Sequence, residues 1–277
     1  MKKSIYVAAV MLVLVCSRAA LTQQPANQET NKAAQPAARR VPQAKTHVEF
    51  TDYNTAYGIS GGAAMEKAAD EFAAKYPGSE LKVYLYSKAM HEYQNENNPA
   101  KMLTTGEKVL QSDPDNSIAL VLTANVLADS VSDSDSDRQA KIARVRKNSA
   151  HALETMDAAF VAPPNATPAM VAEYKSTLRS MAHSALGIVA LKTGDDAAAE
   201  NELKLAGGQN QSQPDPYIWY HLALAQDHQK KYPEALTSIN RALQAIGANA
   251  DLGELARGEQ KRLLTLTGGS APTPAPK

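Results

Sequence analysis

Cysteine is almost missing from this 277-residue chain, which has one, Cys16. No intrachain disulfide can form, so the fold must hold by packing alone. Aromatic residues are scarce at 5%, with a single tryptophan and three phenylalanines, while alanine is abundant; that balance suits closely packed helices better than sheets. No excess of either charge exists, with 29 basic and 29 acidic residues, so nothing is left over to neutralise a phosphate backbone, and nucleic acid is excluded as the expected partner. No stretch keeps a two-residue apolar alternation for long, which counts against half-buried strands. The hydrophobic fraction of 44% is that of a folded protein and not of a disordered one.

What is present begins with an export signal. Lys2 and Lys3 form a basic start, and Ile5 to Val15 an unbroken apolar run. The run falls short of the roughly 20 residues a membrane span needs. Ser17 and Ala19 then supply the small residues of a cleavage site after Ala19, so residues 1–19 read as a signal peptide. The product is expected in the periplasm or cell envelope, or secreted. Cys16 lies just after the apolar run and raises lipidation as an alternative, although Val15 is bulkier than a lipoprotein signal wants before its cysteine. A chain lipidated at Cys16 would sit on a membrane; one cut after Ala19 would be free.

Residues 20–57, rich in Gln, Asn, Ala and Pro, read as a flexible linker, with His47 to Thr51 left open as a short extension of the first helix. Residues 268–277 read as a disordered Gly/Pro tail. Between them, 58–267 reads as helix after helix, about ten in all. The breaks fall at Pro77-Gly78, Asn98-Pro99, Asp113-Pro114, Pro163-Pro164 and Pro214-Asp215-Pro216, with Ser79 a candidate N-cap. Between the breaks apolar residues recur every three to four positions, as in Leu178, Met181, Ala182, Ala185, Leu186 and Val189.

Paired helices invite a search for repeats. Over 216–247, Trp219, Leu222 and Ala223 occupy one helix, Tyr232 the turn, and Ala235, Ile239 and Ala242 the next. A large aromatic, then leucine and a small residue, then a small–bulky–small second helix: this segment resembles the tetratricopeptide repeat (TPR). Ala223 and Ala235 would let the two backbones approach where the helices cross. A preceding unit has Gly187, Ala190, Ala199, Leu203 and Ala206, with Gly187 36 positions before Ala223, slightly longer than the usual 34. A third runs from Val83 to Asn116 but departs from the pattern at Met102 and Gly106, and a fourth begins at Ser117 with its second helix displaced by an insertion around SVSDSDSD.

The resemblance implies an all-α fold, a right-handed α-solenoid of antiparallel helix pairs, working as a binding scaffold and not as an enzyme. It implies a protein or peptide partner held on the concave face lined by first helices. Carried over position by position, that face comprises Tyr84, Ser87 and His91, then Met181, Ser184, Ile188 and Lys192, then Tyr217, Tyr220, Leu224 and His228. Tyrosine suits such a face, giving contact area at low entropic cost. No run of Lys and Arg is available there to clamp a C-terminal carboxylate. A lipid-anchored assembly factor of the same fold and a purely architectural, self-associating solenoid remain alternatives.

Three motifs lack the surroundings their chemistry needs. Gly58-Ile59-Ser60-Gly61-Gly62 matches the G-x-S-x-G of hydrolases, but that elbow needs a strand-to-helix turn atop a parallel sheet, for which no strands are available. Asp133, Asp135 and Asp137 open like a calcium loop, yet Arg138 and Arg144 stand where Gly and Glu are required. The six histidines lack metal-ligand spacing: His221 and His228 are two turns apart, and His151 with Glu154 is a lone pair. No catalytic residue, metal or cofactor is therefore expected. Asn165-Ala166-Thr167 is a glycosylation sequon that an export signal of bacterial type makes uninformative.

Overall fold

The computed structural model describes residues 40–162, 165–209, 214–247 and 249–268; the signal-peptide, Cys16 and tail readings lie outside them. Eleven helices and no strand are found among the described residues. They are α1 (His47–Tyr57), α2 (Gly62–Lys75), α3 (Lys82–Asn95), α4 (Pro99–Ser112), α5 (Ser117–Ser130), α6 (Arg138–Ala159), α7 (Pro168–Lys192), α8 (Asp196–Gln209), α9 (Pro216–His228), α10 (Tyr232–Ala245) and α11 (Ala250–Leu266). No described helix is long and apolar enough to cross a membrane.

The helix starts follow from local chemistry. Side chains of Thr46, Asn98, Asn116, Thr167, Asp215 and Asn249 each accept a hydrogen bond from a backbone N–H in the first turn of the helix that follows. Pro99, Pro168 and Pro216 occupy first-turn positions, where the missing N–H costs nothing. Ser79 caps no helix; its Oγ accepts the N–H of Leu81 at 3.1 Å in a turn, and α3 starts at Lys82.

Each helix packs chiefly on its neighbours in sequence, as in a solenoid. The pairs are antiparallel. Ser176, Ser180 and Gly187 of α7 meet Gln209, Ala206 and Leu203 of α8, in reverse order along the two chains. At the α9–α10 crossing Ala223 and Ala235 are both fully buried, as the repeat pattern requires. Five hydrophobic clusters follow one another along the stack, each shared by consecutive helices.

Two expectations change. Part of the segment read as linker is helical: α1 pairs with α2, bringing Tyr53 and Tyr57 against a core that includes Phe72. The helix at 62–75 is therefore the second member of a fifth pair. The departure at Gly106 also has a reason. A Cβ there would stand 2.6 Å from Thr123 Cγ2 and 3.2 Å from Met90 Sδ, so only glycine fits where α4 is wedged between α3 and α5. The acidic insertion precedes α6, which still packs on α5. Lys141 pairs with Asp135 at 2.9 Å and Asp137 at 3.2 Å, and Arg138 with Asp133 at 3.1 Å, so the turn is held by cations of the helix it introduces.

Candidate functional site

The candidate residues on α9 are set by how that helix begins. Asp215 Oδ1 accepts the N–H of Tyr217 at 2.9 Å, and Pro216 fixes the first turn. Leu222 then packs with α8 and Trp219 between α8 and α10, while Tyr217 turns toward the start of α11. The Tyr217 hydroxyl accepts a hydrogen bond from Asn249 Nδ2 at 2.9 Å, tying it to the start of α11. Tyr220, half-buried, packs against the α10–α11 cluster and meets the His221 ring edge-on at 5.6 Å. Leu224 is half-buried, and His228 is exposed with its Nδ1 2.9 Å from Asp196 Oδ1.

The candidates on α7 lie mostly in its contact with α5. Ile188 is buried with Ala124, Leu127 and Ala128, Ser184 is buried, and Met181 is half-buried against the core of α3–α5. Lys192 is structural. Its Nζ donates to the carbonyls of Ala128, Asp129 and Val131 at 2.7, 2.8 and 3.0 Å, closing the C-terminus of α5. On α3, Tyr84 and Ser87 are half-buried. His91 sets Nδ1 3.2 Å from Gln94 Oε1, and burial holds its pKa below the ordinary histidine value.

The structure adds a cluster of charged and titratable groups that the sequence does not announce. Asp129 in the last turn of α5, Lys192 at the end of α7, and Asp215 and His221 at α9 share one neighbourhood. Asp129 feels Lys192 and Asp215, and His221 feels Lys192. Each keeps an accessible edge, yet is ringed by protein. Burial pushes Asp129 up to about 6, raises Asp215, and pushes His221 down to about 4. The only sequence signal is Asp129 itself, a carboxylate ending a helix with ten buried residues among fourteen.

The decoy motifs have ordinary surroundings. Ser60 is exposed in the turn between two helices, α1 and α2. His151 and His183 pair with Asp115 and Glu202, each at 2.7 Å. No group of three metal-ligating side chains occurs among the described residues.

No family model and no curated protein matches the chain. Among solved structures, a thermophilic TPR protein of Thermus thermophilus is similar over 76% of this chain and 98% of its own, at 14% identity and a TM-score of 0.46.

Proposed function

We propose that this protein is an exported scaffold that binds a segment of a partner protein along its first helices, α3, α5, α7 and α9. One observation carries the reading. Asp129, Asp215 and His221 are reachable by solvent but strongly desolvated by the protein around them, which is the condition of groups lining a recess. Tyr217, whose carbonyl lies 2.8 Å from His221 Nδ1, and Leu224, three residues beyond His221, add accessible aromatic and aliphatic surface on the same stretch of α9. A helical stack of this kind supplies a rigid lining, and binding is the activity such a lining performs best. Export rests on Lys2, Lys3 and the apolar run from Ile5 to Val15.

The test places a photo-crosslinking amino acid at position 87, 221 or 224 of the full-length chain in the native cell, and at the outward-facing position 154 of α6 for comparison. A protein adduct formed from the three first-helix positions and absent from 154 is the expected result. Equal adducts from 154, or none from any position, would reject the first-helix face as the binding surface. The mass of the recovered protein decides export: a chain starting at residue 20 supports cleavage after Ala19, one lipidated at Cys16 replaces it with a membrane-anchored form, and an intact Met1 rejects export.

A further inference from the structure

A second, separate site lies on the other side of α9. Between α8 and α10, which both pack on α9, runs a cleft of about 720 Å³, within the range of ligand sites. Trp219 forms its back wall, and Gly207 makes room for the indole: a Cβ there would stand 2.9 Å from Trp219 Cζ2. Beside it Gly208 leaves open space, with no atom of the described residues within 4 Å of an added Cβ. Arg241 of α10 lays its guanidinium over the indole, its carbon 4.7 Å from the ring centroid.

The charges around this cleft are unevenly spent. Glu200, buried beneath it, is saturated by Lys204 at 2.7 Å, Lys231 at 2.6 Å, Gln229 at 3.0 Å and Gln226 at 3.3 Å. Arg241 is exposed and, among the described residues, has no ion pair or hydrogen bond. A stacked guanidinium uses its flat face and keeps its N–H donors in the plane, directed outward in the fork that matches a carboxylate. The stack also fixes the side chain in advance, lowering the entropic cost of capture. Lys204, on the α8 side, is already engaged by Glu200, and Glu234 lies about two turns before Arg241 on α10. The order along α10 is thus negative, then positive.

We propose that the α8–α10 cleft binds an acidic peptide segment, with an Asp or Glu side chain of the partner held by Arg241 and a neighbouring apolar residue seated against Trp219 and Pro214. α8 and α10 both run antiparallel to α9 and so parallel to each other, which makes the cleft a trough suited to a linear chain.

Trp219 is the only tryptophan in the sequence, so its emission reports on this site alone. The probe is a capped hexapeptide with one Glu between two Leu, titrated into the full chain beside its Gln counterpart and free glutamate. The expected result is a saturable emission shift with the Glu peptide and roughly tenfold or weaker affinity for the Gln peptide, a difference of about 1.4 kcal/mol. Arg241→Gln should reduce the Glu peptide to the level of the Gln peptide. Gly208→Phe, which fills the trough from an unobstructed position, should abolish both, and Glu154→Gln on the exposed face of α6 should change neither. Anisotropy of a labelled peptide provides a second readout that does not depend on the Trp219 environment. Absence of binding, equal binding of the Glu and Gln peptides, or undiminished binding to a folded Arg241→Gln variant would overturn the proposal. A response to free glutamate equal to that of the peptide would overturn the assignment to a peptide.

Discussion

Lys192 separates a binding role from a structural one, and its replacement by methionine tests the structure directly. Methionine keeps most of the length and the apolar stem but removes three N–H donors and the charge. Three carbonyls at the end of α5, those of Ala128, Asp129 and Val131, would then lose donors now at 2.7–3.0 Å. A net hydrogen bond to a charged group is worth about 1.5–3 kcal/mol, but water can reach part of this site and replace some of the loss. A total cost of about 2–4 kcal/mol follows, and for a domain of this size a fall in Tm of roughly 5–12 °C. The pH dependence adds a second signature. Asp129 has a folded pKa of about 6, above its usual 3.8, so its ionised form weakens the fold above that range and the penalty is relieved as pH falls. Removing Lys192 takes away the cation that partly offsets this penalty, so the deficit of the variant should shrink between pH 7 and pH 5. Differential scanning calorimetry at several pH values measures both. A Tm within about 1 °C of the parent would refute the capping assignment, and a deficit that does not vary with pH would refute the coupling to Asp129.

Four further outcomes are expected. Burial pushes Glu200 up, but donors from Lys204, Lys231, Gln226 and Gln229 outweigh it and hold the group at about 2; its stabilisation is full above the ordinary value of 4.5 and lost as pH falls toward 2. Glu200→Gln should therefore lower stability near pH 7 by on the order of 2 kcal/mol and flatten the acid limb of the melting curve, a change visible in urea titrations at pH 7 and pH 3. Gly187→Ala would set a Cβ 2.6 Å from Leu203 Cγ and 3.3 Å from its backbone nitrogen, costing about 2–3 kcal/mol by chemical denaturation as α7 and α8 are forced apart. Asn249→Ala removes both the cap on Leu252 N–H at 3.1 Å and the bond to the Tyr217 hydroxyl, with an expected loss of about 1–2 kcal/mol and faster amide exchange in the first turn of α11. Asp129→Asn should raise Tm at pH 7.5 and leave it unchanged at pH 4, since only the ionised carboxylate is penalised.

The helices are legible because their signals are local. Proline and Asx or hydroxyl caps mark the starts of α4, α7 and α9, and the spacing of Ala223, Ala235, Ile239 and Ala242 marks a crossing that the structure buries completely. α1 escapes the pattern for a physical reason: it buries only Glu49 and Ala56, and Val48 and Phe50 are exposed, so it has no apolar stripe to read. The positions on α7 show a different limit. Their face can be carried over from the repeat pattern, but how close α5 stands depends on the small residues of both helices. Ala124, Ala128 and Ala185, all fully buried, bring the two together and cover Ile188. That distance belongs to a pair of helices and is not written in the period of either.

The recess and the trough both border α9 because of that helix's place in the stack. A first helix inside the stack is covered by the helices before and after it, as α7 is by α5, α6 and α8. Among the described residues the α9–α10 pair is followed by α11, which closes only one edge of α9, through Tyr217 with Asn249 and Asp227 with Arg262. Its N-terminal half keeps two accessible borders. One carries Asp215 and His221 into the recess with α5 and α7, and the other carries Trp219 into the trough between α8 and α10. Because Tyr217 and Trp219 are two residues apart, they point to different sides of a helix turning 3.6 residues at a time. Among the described residues the trough presents an unpaired guanidinium, while the recess holds two carboxylates beside the ammonium of Lys192, so the two borders differ in charge, and one partner chain could engage both only if its contacting residues were separated by at least the thickness of the helix.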